Sequence, residues 1–378
     1  MIKKYACICV SLFIFSALFC ACSKDAAASS LAAKPVFAED KGAIGVPLRK
    51  GFSPLTGLPI EGEPKRPLAV MIDNVRVALP QRGLAAADIV YEVVTESGIT
   101  RLMAIFPDYE AMPEVGPVRS ARDQHLQLIL PLNTMLLHAG SSTYATDLLQ
   151  KYRYDSTSAV NGCVQSGALR LDNARVTGTA IEHCWFSDAA MFTATAKACG
   201  LQLDDKMLFS AFDFANTPRA LAGGEAKDVQ VRFSSYASSS FTYEDKSGRY
   251  LKSQFSAPQI DENTGEQLGF DNLLILFTDI TKYPDGILAK VDYNFGGVGY
   301  YFNQGRYEEV RWLKGHEKSP LRIVSADKTE TSVTINPGTT YVAFVDLSKY
   351  EYFKIGKSTD ATASLPPVSG EDAIEAPD

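Results

Sequence analysis

Two glutamates and one arginine lie within a short stretch of chain where two strands are expected. Residues 89–96 and 99–106 alternate between apolar and polar side chains, and the Ser-Gly pair between them predicts a two-residue hairpin turn. This register puts Glu92, Glu96 and Arg101 on one face, with the arginine diagonal to both carboxylates. The carboxylates would lie about 13 Å apart by the strand rise, beyond the roughly 5–9.5 Å of a glycosidase acid/base pair. The pattern therefore predicts either a structural Glu–Arg–Glu network or a ligand site.

A second charged group, Arg119 and Arg122, brackets the start of an expected helix. Ser120 with Asp123 three residues later resembles a capping box. Backbone N–H groups at a helix start favour an anion, and two guanidiniums could clamp a carboxylate or phosphate there, as on a peptidoglycan stem peptide or a teichoic-type polymer. The alternative is that the arginines pair inside the protein, and the candidate partners are Glu92, Glu96 and Asp88.

A third group consists of polar residues that follow expected strands. Asp73 and Asn74 end an apolar run, with Gln81 nearby in sequence, and a sheet end is a common place for a site. Turn chemistry explains the Asp-Asn pair equally well. The run that contains His138 and Ser141 is not a Gly-x-Ser-x-Gly elbow, so a serine hydrolase gains little support. If the protein is an enzyme, its acid or base is expected among Asp73, Glu92 and His138.

Metal and cysteine chemistry receive little support from the sequence. The four histidines are scattered and match no metal spacing, so neither a metal nor a cofactor is expected. After Cys22, the chain contains Cys163, Cys184 and Cys199 without a Cys-x-x-Cys pair. One disulfide or buried free thiols are both compatible with this number.

The elements around these residues predict an α+β fold. Strands are expected over 67–75 and 134–138, a helical turn over 83–88, and helices over 120–130 and 188–198, the last capped by Ser187. From about residue 229 the chain becomes rich in short β-type runs separated by Gly, Asn and Asp. An N-terminal α+β part is therefore followed by a β-rich part.

Composition and charge limit the partners. The chain has 378 residues, 46% of them hydrophobic and 21% charged, as in ordinary globular proteins. The formal charge of −7 becomes −9 without residues 1–21, which contain two lysines and no acids. Such an acidic body cannot neutralise a phosphate backbone, so nucleic acid is excluded as an expected partner. Membrane attachment by charge alone is excluded for the same reason.

The N-terminus supplies another means of attachment. Lys3 and Lys4 precede an apolar stretch over residues 5–19, which ends in small residues before Cys22. An uncleaved transmembrane helix is the alternative, but the stretch is shorter than the roughly 20 residues that span a bilayer. We therefore expect a signal peptide over 1–21 and lipidation of Cys22, with acyl chains anchoring the protein on the extracytoplasmic face of a cell membrane.

Several motifs resemble the YerB-like lipoprotein family, a two-module family of unknown function. They include PLTGLP (54–59), AVMIDN (69–74), VGPVRSAR (115–122), GVGYYFNQGRYEEVRW (297–312) and INPGTTYVAFV (335–345). The resemblance implies an N-terminal layered α/β-type sandwich with helices over sheets, followed by a smaller β-rich C-terminal module. The expected organisation is a signal peptide (1–21), a lipidated tether (22–52), an N-terminal module (53–205), a C-terminal module (206–356) and a disordered acidic tail (357–378).

The function expected from these observations is binding without catalysis. A tethered body with an Arg/Glu-rich motif block and no recognisable catalytic constellation favours a binder of a cell-wall component or of a wall-synthesis partner. A hydrolase acting on wall glycan or peptide is the alternative. A scaffold whose β-rich module docks on another envelope protein is a third hypothesis.

Overall fold

The structure, a computed structural model, describes residues 45–158, 167–205, 209–327 and 329–356. Cys22, Cys163, the expected signal peptide and the expected acidic tail lie outside these ranges. The helices are α1 (Asp123–Ile129), α2 (Thr143–Tyr152), α3 (Asn173–Val176) and α4 (Ala189–Ala198). The strands up to residue 210 are β1 (Val46–Pro47), β2 (Leu68–Asp73), β3 (Ile89–Val94), β4 (Thr100–Phe106), β5 (Met135–His138), β6 (Ser156–Ser158), β7 (Arg170–Leu171), β8 (Trp185–Phe186) and β9 (Phe209–Ser210).

The later part of the chain is built from strands. They are β10 (Asp228–Arg232), β11 (Ser238–Glu244), β12 (Arg249–Gln254), β13 (Ala257–Pro258), β14 (Gly269–Phe270), β15 (Asn272–Thr278), β16 (Ile280–Lys282), β17 (Ala289–Val291), β18 (Gly297–Asn303), β19 (Arg306–Leu313), β20 (Arg322–Ser325), β21 (Thr340–Asp346) and β22 (Lys354–Gly356). The protein is thus mostly strands with few helices, which agrees with the α+β class.

A ten-stranded mixed sheet joins the two modules. Its order is β20-β19-β18-β15-β21-β3-β4-β2-β5-β6. The junction is the parallel pair of β21 with β3, in which Thr340 lies opposite Ile89 and Phe344 opposite Val93. Strands from residues 272–346 therefore complete a sheet that begins in the N-terminal module.

Each face of this sheet has its own hydrophobic core because side chains alternate along buried strands. On β2, Val70 and Ile72 join one core and Met71 joins the other. The first core also contains Val229 and Phe241, so the six-stranded sheet β13-β12-β11-β10-β22, with β14 on β12, covers that face. The second core contains Leu126, Ile129, Ala145 and Leu148 of α1 and α2. The layering of helices over sheets in the N-terminal module stays a prediction.

Two predicted helix starts are wrong. Arg122, not Ser120, occupies the N-cap position of α1, since Ser120 Oγ donates instead to the carbonyl oxygen of Ala139 at 2.7 Å. The predicted capping box therefore does not form. In α4 the cap is Asp188, whose Oδ1 accepts from the Met191 N–H at 2.9 Å, so the predicted Ser187 cap is replaced by its neighbour.

Part of the segment expected as a tether belongs to the folded body. Val46 pairs with Ser210 between β1 and β9. Arg49 donates to Asn216 Oδ1 at 2.5 Å, and its guanidinium lies 4.2 Å from the centroid of the Phe52 ring. The folded part of the described chain therefore begins before residue 53.

Candidate functional site

The segment 115–122 crosses the carboxyl ends of β2 and β5, which meet because these two strands are parallel neighbours. Asp73 N–H donates to the Pro117 carbonyl at 2.9 Å, and Arg119 N–H donates to the Met71 carbonyl at 2.9 Å. Ala121 then forms a bridge with Ser141 beyond β5. This edge of the sheet therefore brings together residues that the sequence singled out in separate motifs.

Asp73 forms the first half of the site with His183 and Arg119. His183 Nδ1 donates to Asp73 Oδ2 at 2.6 Å. Arg119 Nε lies 3.3 Å from the same oxygen but makes no hydrogen bond, which leaves a buried donor unsatisfied. Burial alone would raise the pKa of Asp73, but the His183 hydrogen bond and the Arg119 charge outweigh it and hold this pKa below its usual value. Asp73 is therefore an ionised, buried carboxylate whose two partners reach the surface.

Glu96 forms the second half of the site with Arg122 and Arg101. Arg122 grips Glu96 bidentately, through Nε to Oε2 at 2.9 Å and Nη2 to Oε1 at 2.6 Å. Arg101 Nη2 donates to Glu96 Oε1 at 3.1 Å, and its Nη1 donates to the Ser120 carbonyl at 2.7 Å. Burial would raise the pKa of Glu96, but the charges of Arg101 and Arg122 lower it well below the usual range. The internal pairing left open by the sequence is thus observed for Arg122 with Glu96.

The two halves together bring three arginines to one place. Arg101 and Asp73 are directly opposite in the β2–β4 pair, so both halves lie on the same face. The arginines face the carboxylates of Asp73 and Glu96, and a third carboxylate, that of Glu182, lies 3.9 Å from His183 Nε2. Burial with the repulsion of Arg122 lowers the pKa of Arg101 to about 9. Arg119 is the most exposed of the three, with 21% of its side chain accessible. We call Asp73, Glu96, Arg101, Arg119, Arg122 and His183 the arginine cluster.

The predicted hairpin register is wrong by one residue. Val94 lies opposite Thr100, Val93 opposite Arg101 and Glu92 opposite Leu102, because residues 95–99 form a five-residue connection. Within it the Thr95 N–H donates to the Ile99 carbonyl at 2.8 Å. A one-residue slip moves a side chain to the other face. Glu92 and Arg101 therefore lie on opposite faces, and the predicted Glu–Arg–Glu network forms without Glu92.

Glu92 is instead sealed between the two sheets. It is fully buried, and its carboxylate accepts hydrogen bonds from Thr100 Oγ1 at 2.8 Å, Tyr341 Oη at 2.6 Å and Ser239 Oγ at 3.2 Å. The Lys252 ammonium, also fully buried, lies 3.3 Å away. This carboxylate has no access for a ligand and no free lone pair for acid/base work, so its proposed catalytic role is not supported.

Asn74 and Gln81 belong to the same buried network. Asn74 Nδ2 donates to Glu92 Oε1 at 3.0 Å, and Gln81 Nε2 donates to Asn74 Oδ1 at 3.1 Å. Gln259 Nε2 donates to Gln81 Oε1 at 3.1 Å, and Lys252 Nζ donates to Gln259 Oε1 at 2.6 Å. The network thus crosses from one module to the other. Two of the predicted ligand-binding residues hold the modules together.

His138 and Ser141 do not form a catalytic pair. His138 Nδ1 donates to the Gly140 carbonyl, while its buried Nε2 has no partner within the part of the chain that the structure describes. Burial lowers the pKa of His138 to about 4, which keeps the ring neutral near pH 7. Ser141 Oγ is bonded to Thr146 Oγ1 at 2.7 Å. Among the described residues, these two side chains therefore serve the strand end and the start of α2.

Sequence reasoning missed His183, Lys252 and Tyr341 because their partners are distant in the chain. His183 is 110 residues from Asp73, and Tyr341 is 249 residues from Glu92. The only available signal for Lys252 is a lysine within the alternating run of β12, whose buried positions would otherwise be apolar.

The described cysteines take no part in the site. Cys184 is a buried free thiol, and Cys199 is disulfide-bonded. Within the ranges that the structure describes, no three His, Cys, Asp or Glu side chains are placed to hold a metal ion. In the same ranges, no helix has the length and apolar character needed to cross a bilayer.

Comparison with known proteins finds matches in both modules. Residues 55–202 match the family model described as "Protein of unknown function (DUF3048) N-terminal domain", and residues 229–342 match its C-terminal counterpart. The chain is 28% identical over 321 residues to "Putative lipoprotein YerB" of Bacillus subtilis (strain 168), covering 82% of this chain and 87% of the relative. It is also similar to the crystal structure of the YerB protein from Bacillus subtilis, with a TM-score of 0.70 and 25% identity over 81% of this chain and 99% of that chain.

Proposed function

We propose that this chain, which belongs to the two-module YerB-like family, is a lipid-anchored envelope protein that binds an anionic ligand at the arginine cluster without transforming it. The observation that carries the binding role is the concentration of three arginines, with Arg119 only partly paired, in a chain whose formal charge is −7. A local cationic site on an acidic body attracts and orients an anion selectively. The ligand class is a carboxylate or a phosphate of a cell-wall component, or an acidic surface of a wall-synthesis partner.

The anchor rests on the pattern around Cys22 and on the name of the Bacillus relative. Two or more acyl chains give stable membrane attachment, where one chain gives marginal binding. Replacing Cys22 with alanine should therefore prevent acylation and leave the signal peptide uncut, so that the intact mass contains residues 1–21 and no acyl chains. A Cys20→Ala variant is the matched control and should stay anchored. An intact mass of the Cys22→Ala protein that differs from the wild type by the substitution alone would contradict the anchor. Protease access in spheroplasts tests the extracytoplasmic face.

Arg119 is the residue expected to contact the ligand. Its side chain is more exposed than that of Arg101 or Arg122, and its buried Nε has no hydrogen-bond partner among the described residues, so its guanidinium is the least firmly held of the three. Arg122 is held by both oxygens of Glu96, so it contributes charge and holds the loop. His183 lies beside Arg119 through Asp73, and its Nε2 lies 3.9 Å from the Glu182 carboxylate.

Retention on purified wall tests this assignment. Arg119→Ala should reduce the bound fraction, and Arg119→Lys should restore part of it because it returns the charge without the guanidinium fork. Arg311→Ala is the matched control, since Arg311 is similarly exposed at 18% and makes one long ion pair with Glu330. Wall stripped of teichoic-type polymer separates phosphate from stem-peptide carboxylate as the source of the anion. Equal retention of all variants would remove Arg119 from the account.

A hydrolase acting on wall glycan or peptide is the second candidate, and one observation favours it. Asp73 orients His183 through a 2.6 Å hydrogen bond, as a carboxylate orients a general base. The other predicted acid/base groups, Glu92 and His138, are buried and bonded elsewhere. Release of soluble muropeptides by the protein, abolished in His183→Ala, would establish this function. No release across a range of pH values and divalent metals would leave the binding role.

A further inference from the structure

We propose that Tyr144 and Tyr283 form a saccharide subsite beside the arginine cluster, so that the ligand is an anionic glycan. The two rings are stacked, with centroids 3.6 Å apart and planes 13° from parallel. Tyr144 lies in the first turn of α2, and Tyr283 follows β16. This inference rests on the proposed function, because it assigns the sugar part of a ligand whose charge is bound by Arg119.

The stacked pair is continuous with the arginine cluster. Tyr283 Oη donates to Asp123 Oδ2 at 2.7 Å, and Asp123 is the residue next to Arg122. On the other side, the Ser142 N–H donates to the Ala121 carbonyl at 3.1 Å, which places the start of α2 against the same loop.

The chemistry around Tyr144 is that of a sugar site. Tyr283 covers one face of the Tyr144 ring, and Tyr144 as a whole remains partly exposed. The subsite uses the ring face opposite Tyr283. Burial and the carboxylates of Asp285, Asp123 and Asp147 raise the pKa of Tyr144. An aromatic face packs against the C–H face of a pyranose, and carboxylates accept hydrogen bonds from its hydroxyl groups.

Charge distribution decides between a saccharide and an acidic peptide. The carboxylates near Tyr144 repel an extended polyanion, whereas the arginine cluster attracts a single anionic group. A ligand with neutral hydroxyls at one end and a carboxylate or phosphate at the other matches both ends. A uniformly acidic peptide matches only the arginines.

Titration calorimetry of the full chain in detergent with two probes tests the subsite. The probes are a disaccharide of N-acetylglucosamine and N-acetylmuramic acid, which carries one carboxylate, and poly-glutamate, which carries no sugar. Tyr144→Ala should weaken disaccharide binding about tenfold, the size of an aromatic stacking contribution, and leave poly-glutamate binding unchanged. Tyr144→Phe keeps the ring and should bind the disaccharide like the wild type, as should Tyr352→Ala, which removes another exposed tyrosine.

The outcomes separate this inference from the proposed function. Wild-type disaccharide affinity in Tyr144→Ala overturns the subsite, while loss of poly-glutamate binding in Arg119→Ala upholds the anion site. No effect of Arg119→Ala on either probe overturns the proposed function. If Tyr144→Ala fails to fold, NMR of the wild type with ring-labelled tyrosine decides: the signal assigned by Tyr144→Phe should shift with the disaccharide and stay unchanged with poly-glutamate, and an unchanged signal with both refutes the subsite.

Discussion

Replacing Lys252 with methionine should destabilise the protein by about 3–5 kcal/mol, the cost of leaving one charge of a buried pair without its partner. Lys252 and Glu92 are both fully buried, with 3.3 Å between Nζ and Oε2. The variant leaves the carboxylate with neutral donors only, namely Asn74, Thr100, Ser239 and Tyr341. Those hydrogen bonds stabilise the ion, but they cannot neutralise it in a medium of low polarity.

The double variant isolates the pair itself. Glu92→Gln alone strands the ammonium between the oxygens of Gln254 and Gln259, at a similar cost of about 3–5 kcal/mol. Glu92→Gln with Lys252→Met buries no net charge, so its cost should fall at least about 2 kcal/mol below the sum of the single variants. Equilibrium denaturation at pH 7 measures all four proteins, with Lys65→Met as a surface control that should change little. Additive costs would refute the inference that this pair acts as a unit between the modules.

Three further predictions concern pH. Burial raises the pKa of Asp88 to about 7, so the free energy of unfolding falls as pH rises from about 4 towards 7. Asp88→Asn should therefore stabilise the protein at pH 8 and not at pH 4. Asp245→Asn, at an exposed turn, should leave the free energy of unfolding unchanged at both pH values. Burial lowers the pKa of His138 to about 4, so stability that is present above about pH 6.5 is lost as pH falls towards 4. His138→Asn keeps a donor near the Gly140 carbonyl and should make the free energy of unfolding, measured by denaturant titration, less dependent on pH in this range. Arg101 and Arg122 lower the pKa of Glu96. The difference in free energy of unfolding between wild type and Glu96→Gln should therefore be largest near pH 7 and shrink below about pH 4. A difference that stays constant with pH would contradict the pairing.

Local patterns in the sequence were sufficient to place several N-terminal elements, but they did not predict the helix α2 (Thr143–Tyr152). The apolar run 67–75 contains β2, the two alternating runs contain β3 and β4, and the helical turn expected over 83–88 appears as a 3-10 turn at Leu84–Ala86. These elements follow from periodicity, which is a property of neighbouring residues. Composition likewise predicted the strand-rich second module.

The face of each side chain in the hairpin required information that the pattern does not contain. Ser97 adopts a left-handed conformation with φ of 54°, and Gly98 follows with φ of 74°, within a connection of five residues instead of two. Alternation alone is equally compatible with either turn length. The longer connection shifts the strand register by one residue, which moves Glu92 from the arginine side of the sheet to the space between the sheets. The site therefore lost Glu92 and kept Glu96, Arg101, Arg119 and Arg122.

Long-range pairing was the second missing element. The parallel pairing of β21 with β3 lets Tyr341 donate a hydrogen bond to Glu92. The sequence of neither strand indicates that the two strands pair. The sequence likewise does not indicate the hydrogen bond between Asp73 and His183, which are distant in the chain. These residues meet where the segment 115–122 crosses the edge of the sheet. Sequence reasoning could name the cationic residues of the site, but their carboxylate and imidazole partners depend on topology.

Calorimetric affinity of the full chain for a soluble stem-peptide muropeptide and for a glycerol phosphate oligomer tests the central claim most directly. Arg119→Ala should raise Kd about tenfold or more for the ligand that the wild type binds, since a hydrogen bond to a charged group contributes about 1.5–3 kcal/mol. Arg311→Ala should leave Kd unchanged. Equal Kd values for wild type and Arg119→Ala, or no heat with either ligand, would contradict an anion site at the arginine cluster.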